Sequence, residues 1–416
     1  MTYTTQPAPV GEGERIHALD ALRGIALLGI LMVNMGSFKG LSTLDQFPRP
    51  ESLVQPADQT AFLLIQTLFT GKFYPIFAFL FGLGFALQIE RLQARGVNAT
   101  GIMLRRLLVL LGFGLLHGLF IWTGDVLFLY ALCGMVLLLF ARLSPRAVLY
   151  WVLGLWGVQL LCCLSCSGVT FWWAATEDAQ AAGGDFFTTY IEQGRQAYAQ
   201  SSYWVAQQFR FVEWLVMQVN AIFILPDVLL MFLIGLYFGK SGVFGQLDAY
   251  RRTMGWLAVA GIPIGIALNA LYATGVQNAL RNENELQAYG WLTLGILFGP
   301  VLALGYVGAF CWLWSTAEGV QRLLAPVAAA GRMALTNYLT QSVVCTLLFY
   351  GYGLGLHAKV GVAQGAGIAL ALWGVQVVVS MLWLAQHAYG PMEWLWRSLT
   401  YGRRMPLQRV KQAETP

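Results

Sequence analysis

Apolar residues in this chain run in blocks of about 20, and charged residues are pushed to the joints between blocks. At 1.5 Å per residue, such a block as a helix spans the ~30 Å hydrocarbon layer of a bilayer. The pattern predicts spanning helices over 19–38, 73–92, 102–121, 125–141, 146–166, 223–240, 254–274, 291–314, 334–356 and 366–386. The blocks do not alternate polar with apolar, which excludes a β-barrel. Two further segments, 57–71 and 203–222, mix polar and apolar residues, and each leads through a proline (Pro75, Pro226) into a spanning block. They read as helices near the outer interface that turn into the membrane. Their similar placement divides the chain into an N-terminal five-helix half (1–167), an outer loop (168–208), a C-terminal five-helix half (209–386) and a cytoplasmic tail (387–416). The expected fold class is all-α, a polytopic membrane protein of about ten transmembrane helices, with two five-helix bundles as the arrangement this placement suggests.

Composition strengthens the reading. The 416 residues are 57% hydrophobic and 11% charged, against about 25% charged in soluble domains. The first block follows Glu12 and Glu14 rather than a basic segment, and it lacks a short core with a small-residue cleavage site. It therefore reads as a retained helix, not a signal peptide. With the N-terminus inside, 18 of the 25 Lys and Arg residues fall on the cytoplasmic side, including Arg142, Arg146, Arg251 and Arg252 at joints, and the acidic stretch from Glu177 to Glu192 falls outside. That asymmetry predicts cytoplasmic N- and C-termini. The net charge of +5 carries no basic stripe with exposed aromatics, so nucleic acid is not an expected partner. All six cysteines lie inside apolar blocks, where Cys163 and Cys166 read as packing residues, and no ligand set suggests a metal.

Ionisable groups inside a bilayer are costly, so each asks for a reason. His117 stands 11 residues after Arg106, about 16 Å along the helix and close to three turns, which places both on one face. Gly114 and Gly118 flank it and allow another helix to approach. A neutral imidazole there is either a base or acyl carrier, or a buried histidine bonded to a neighbouring helix. Asp125, after the turn Trp122-Thr123-Gly124, either orients His117 or caps the next helix. Asp20 and Arg23 form an i, i+3 pair. They are a snorkelling ion pair, or with Arg105 and Arg106 they line a cationic mouth for a phosphate-bearing ligand. Asn34 is a further polar group at mid-depth, and Asp227 is either mid-membrane or an outer helix start. Arg332, Asn337 and Gln341 belong to a polar cluster over 331–342 that serves a ligand or glues helices together.

Several motifs carry a resemblance. Arg15-Ile-His-Ala-Leu-Asp-Ala-Leu-Arg-Gly24, Phe73 to Gly82, Arg105-Arg106…His117…Gly124-Asp125, Gly331 to Leu339 and Gly390 to Arg397 resemble the YeiB-like family of bacterial inner-membrane proteins. The N-terminal part is also similar to the heparan-α-glucosaminide N-acetyltransferase group of transmembrane acyltransferases. The shared elements are Leu-Asp-x-x-Arg-Gly, Val33-Asn34 and the run from Pro75 to Gly82. The second resemblance implies transfer of an acyl group from cytoplasmic acetyl-CoA or another acyl-CoA to an acceptor across the membrane. That group places its active histidine in the outer segment after the first helix, and residues 35–58 here contain none. The role would then fall to His117, if the fold brings it to the same cavity.

The expected function is therefore a membrane-bound acyltransferase with an extracytoplasmic hydroxyl or amine acceptor, a small molecule, glycan or lipid. Arg23, Arg105 and Arg106 would hold the donor's phosphates. Asn34, Arg332, Asn337 and Gln341 complete the binding set. His117 and Asp125 would carry the chemistry, and the 168–208 segment with Trp172 and Trp173 would shape the acceptor site. The rival reading is a transporter or lipid-binding protein without covalent chemistry, in which His117 relays protons or gates. The lipid bilayer is a partner under either reading, and packing within one chain or across a homodimer stays open.

Overall fold

The computed structural model describes residues 16–40, 55–176, 184–282, 284–357 and 359–409, with the side chains of 184–188 and 285 excluded. The motif residue Arg15, most of the segment 35–58 beyond Gly40, and Glu177 lie outside them. The chain is all-α: α1 (His17–Gly40), α2 (Pro56–Leu68), α3 (Phe73–Ala94), α4 (Ala99–Phe120), α5 (Leu127–Phe140), α6 (Pro145–Ala174), α7 (Gly184–Ala199), α8 (Tyr203–Lys240), α9 (Arg251–Arg281), α10 (Glu285–Thr316), α11 (Glu318–Arg332), α12 (Ala334–Phe349), α13 (Val362–Gln386) and α14 (Pro391–Tyr401). Among the described residues the only β-pairing is an isolated bridge between His387 and Gln408.

Eight helical stretches among the described residues are long and apolar enough to cross a bilayer, and the shorter apolar helices α5 and α12 match the remaining two predicted spans. These short helices mark where the site forms. With 14 and 16 residues, at 1.5 Å each they fall short of ~30 Å of hydrocarbon. Irregular backbone at membrane depth survives only where protein covers it. Before α5 that backbone is the turn Trp122–Val126. After α12 the chain folds back, and the N–H groups of Leu354, Leu356 and His357 donate to the carbonyls of Leu347, Leu348 and Phe349.

Two expectations change in detail. Segment 203–222 does not turn into the membrane at Pro226; it continues through it as the 38-residue helix α8, which at 1.5 Å per residue overshoots any bilayer. The outer segment 168–208 is largely helical, as the end of α6 followed by α7.

Backbone-close crossings tie distant parts of the chain together. A side chain at Gly24 would meet the carbonyl of Val327, and one at Gly331 would sit 1.8 Å from the carbonyl oxygen of Asp20, so α1 and α11 cross at these glycines. Gly82 and Gly235 do the same for α3 and α8, against Phe232 and Phe79. Around the second crossing the Phe81 and Phe232 rings stack with centroids 4.6 Å apart, and Tyr130 meets Phe232 edge-on at 5.2 Å. Helices from the two halves of the sequence are therefore in backbone contact along α1 and α3.

Candidate functional site

The turn between α4 and α5 brings His117 and Asp125 together. Gly114 lies against the backbone of Phe128 and the Asp125 carboxylate, too close for any side chain, so α5 starts hard against the α4 face that carries His117. His117 Nδ1 is 2.8 Å from Asp125 Oδ1, and both side chains are almost fully buried. The other carboxylate oxygen accepts the N–H of Phe128 at 2.7 Å, which caps the positive end of α5. Asp125 is thus both helix cap and histidine partner. With the carboxylate as acceptor, Nδ1 is the donor of this pair, and a neutral imidazole then presents its lone pair at Nε2. Among the described residues Nε2 makes no hydrogen bond.

Two cavities approach this dyad from opposite ends of α1. The first, about 320 Å³, is lined by the early turns of α1 (Asp20, Arg23), the later turns of α3 (Arg91, Arg95), Arg106 of α4, Arg332, and Arg397 of α14. Six guanidinium groups share this cavity with the carboxylates of Asp20 and Glu393, and arginine is the side chain that binds phosphate in paired hydrogen bonds. The second, about 1180 Å³, is lined by the last turns of α1 (Asn34 to Gly40), by α2, the start of α3, the turn 122–126, α7, α8 and α10. Asp125 is in its wall. Ile30, Val126 and Tyr338 line both cavities and form the partition. The Tyr338 ring lies 5.2 Å from the His117 ring, centroid to centroid. Its hydroxyl accepts the N–H of Val126 at 3.3 Å and donates to the carbonyl of Gly124 at 3.4 Å. Tyr338 thus pins the turn that carries the dyad.

A second buried polar group holds the same turn from the other side. Thr123 donates to Glu213 at 2.9 Å, and Tyr198 donates to the same carboxylate oxygen at 2.6 Å. One turn earlier on α8, the fully buried Arg210 donates to the carbonyl of Phe120 at 3.3 Å.

The predicted residues separate by place. Arg23 and Arg106 face the arginine-lined cavity together with Arg332. Arg23 pairs with Asp20 at 2.8 Å, and the Arg106 guanidinium lies 3.7 Å over the Trp396 ring. Arg105 does not join them: one residue further round the helix, it lies against Gly402. Asn34 lines the larger cavity. Asn337 and Gln341 reach neither cavity. Asn337 donates to Ser380 and to the carbonyl of Ala330, each at 3.0 Å, and Gln341 donates to Gln376 at 2.8 Å, so this pair joins α12 to α13 and α11. Trp172 and Trp173 are exposed and line neither cavity; the outer segment contributes through Glu192, Arg195 and Gln196 of α7 instead. Asp227 is fully buried within α8 and accepts from Gln159 at 3.3 Å. Sequence reasoning did not single out Arg91, Arg95, Arg397, Tyr338 or Glu213. The arginines sit at helix ends, where cations are expected anyway, and Tyr338 is 212 residues from the turn it holds.

This architecture, an all-α bundle of membrane-crossing helices around a buried polar centre, defines a polytopic membrane protein. Its relatives agree over nearly the whole chain. The sequence is 34% identical to the uncharacterised protein YxaH of Bacillus subtilis (strain 168), over 96% of this chain and 98% of that one. It is 33% identical to the uncharacterised protein YeiB of Escherichia coli (strain K12), over 93% and 96%. A 39.9 kDa protein from the amylase 3' region of Bacillus acidopullulyticus is 30% identical over 98% and 99%. Residues 238–403 match the family described as "Protein of unknown function (DUF418)". The chain belongs to this YeiB-like family.

Proposed function

We propose that the protein is an acyltransferase of the bacterial inner membrane. In this reading it moves an acyl group from cytoplasmic acyl-CoA to a hydroxyl or amine acceptor on the other side. The observation that carries the reading is the meeting of two chambers, one lined by arginines and one large and mixed in character, at a one-residue-thick partition beside a His–Asp dyad. Arg23, Arg106, Arg332 and Arg397 would bind the donor's phosphates at the cytoplasmic end. The pantetheine arm would cover the ~16 Å between the levels of Arg106 and His117. Asp125 holds Nδ1, so Nε2 takes the proton from the acceptor O–H or N–H as that atom attacks the thioester carbonyl. The C–S bond breaks, the thiolate leaves, and the proton passes from the imidazole to the sulfur. Tyr338 and Trp122 close the dyad at rest and would have to move aside for this step.

The test is acetyl-CoA binding by calorimetry, with the protein in nanodiscs. Saturable binding is expected for the unaltered chain and for Arg105→Gln, and loss is expected for Arg106→Gln and for Arg23→Gln. Absence of binding to acetyl-CoA and to longer acyl-CoAs would sink the reading. A transporter is the competing assignment, because two chambers closed off by one layer of side chains also suit alternating access. Transport that proceeds without any acyl-CoA would select it.

A further inference from the structure

The larger cavity is not walled evenly. Where α1, α2 and α7 converge, its lining is polar: Lys39, Gln66, Glu192 and Arg195. Where α8 and α10 face each other it is mostly apolar, with Ala221, Phe223, Ile224, Leu292 and Ile296. Several of these residues are at the same time on the outside of the molecule. Phe223 is 69% exposed, Tyr289 39% and Ile224 36%. A side chain can line a cavity and face outward together only where the wall is open. Helix α6 meets α8 at Asp227, through Gln159, and meets α10 at Gly290, through Ser167. Among the described residues that line the cavity, none belongs to α6. The lining residues that are also exposed mark a side opening along α8 at Met217–Ile224, facing Tyr289 and Leu292–Ile296 of α10, with Gly290 and Trp291 covered by Phe171 of α6.

The depth of the opening decides what passes through it. Ile222 lies 18 residues from Lys240 at the far end of α8, which is about 27 Å of helix. Against ~30 Å of hydrocarbon, that is the outermost part of the apolar layer. The exposed surface there is mainly apolar, with Val219, Ile222 and Phe223, interrupted by Asn220 and Thr293, which bond within their own helices, and it lies within membrane-crossing stretches. A water-soluble molecule gains nothing from such an entrance. An amphiphile does: its chain stays in lipid along Phe223 and Ile296 while its head enters the polar end of the chamber. The chamber's volume, about 1180 Å³, exceeds the 300–1,000 Å³ typical of small-ligand pockets, so it holds a headgroup with room for the first part of a chain.

We propose that the ligand of the larger cavity is a lipid of the surrounding bilayer with a hydroxyl-bearing headgroup, admitted sideways between α8 and α10. The head rests against Lys39, Gln66, Glu192 and Arg195, and the chain leaves past Ala221, Phe223 and Ile296. This deepens the acyltransferase reading by making the acceptor a lipid hydroxyl, although occupancy of the site does not depend on that reading.

The test uses the full chain in nanodiscs that carry phosphatidylglycerol with a photoactivatable diazirine in the acyl chain, without acyl-CoA. After irradiation, crosslinks are mapped by mass spectrometry. The expected result is enrichment on 217–224 and 289–296 over Leu139, Leu161 and Leu382, which are equally open to lipid elsewhere. Ala221→Trp should abolish that enrichment by filling the opening. Ile296→Trp, on the opposite wall, should do the same and guards against misfolding of one variant, with monodisperse elution as the check. Even labelling of all exposed faces would overturn the proposal, as would displacement of the gap crosslinks by soluble glycerol 3-phosphate alone. Failure of acyl-CoA binding would remove the transferase reading and leave this result standing.

Discussion

At the residue scale, the two roles of Asp125 can be pulled apart. Its Oδ2 caps α5, and its Oδ1 holds His117. Asn at 125 can still accept from the N–H of Phe128 but no longer presents a carboxylate to the imidazole. Asp125→Asn is therefore expected to melt close to the unaltered protein, whereas Asp125→Ala loses about 1 kcal/mol with the cap. Both should lose acyl transfer. His117→Ala should lower transfer by about 10²–10⁴-fold, the usual share of a general base, with acyl-CoA binding unchanged. Transfer at full rate in His117→Ala would remove the histidine from the mechanism. Glu393 offers a separate pH handle. Its carboxylate accepts from the N–H groups of Leu335 and Thr336 at 2.7 and 3.0 Å and from the Thr336 hydroxyl at 2.6 Å. Burial pushes its pKa up, and these hydrogen bonds only partly offset that. A carboxyl with a folded pKa above its ordinary value of 4.5 stabilises the fold fully below that value and loses the contribution as pH rises through the folded pKa. Thermal melts of the protein in nanodiscs, from acidic to neutral pH, should show this decline, and Glu393→Gln should flatten it. An unchanged slope in the variant would assign the decline to another group.

At the scale of elements, glycines at helix crossings set the geometry, and they can be tested against a glycine that crosses nothing. Gly331 has no room for a methyl group, since the Asp20 carbonyl lies in the way, whereas Gly112 on α4 faces open space. Gly331→Ala is expected to cost about 1–3 kcal/mol by forcing α11 off α1. Gly112→Ala should be neutral, or stabilising by up to about 1 kcal/mol from helix propensity. Equal melting shifts for the two would contradict the crossing. The same scale explains what could be read from the sequence. Spanning helices were legible because lipid demands long unbroken apolar runs, so each of the ten was found within a few residues of its helix except at the outer ends of α6, α8, α9 and α10 and the fold-back after Phe349. The amphipathic helices α11 and α14 were not, because a helix that lies against protein on one face and water on the other carries no such run. The dyad was legible because its members are eight residues apart across a glycine turn. The separation of Arg105 from Arg106, and the use of Asn337 and Gln341 as helix glue, depended on which way each helix faces, and that is fixed by partners hundreds of residues distant.

At the scale of the molecule, the direction of the chambers decides whether a donor can reach its site, because acyl-CoA is made in the cytoplasm. The expected direction rests on one set of residues, because the arginines of the cavity are among the cations counted at the joints. Cations gather at one set of joints, and the arginine-lined cavity opens from that same end, between the first turns of α1, the last turns of α3 and the helix α14. The eight long apolar stretches together with α5 and α12 would make ten crossings, an even number that returns the chain to the side on which it began, in agreement with the joint lining of one cavity by Asp20 and Arg397. Reporter fusions can check this in living bacteria. A fluorescent protein joined after Arg409 should fold and glow in the cytoplasm, as should one at the joint Ser144. Alkaline phosphatase joined after Thr176, at the end of α6, should be active outside. The reverse pattern would place the arginine-lined chamber away from the cytoplasm and remove any access for acyl-CoA. In that case the rows of guanidinium groups would have to serve an anion from the other side, and the transporter reading would be the one to pursue.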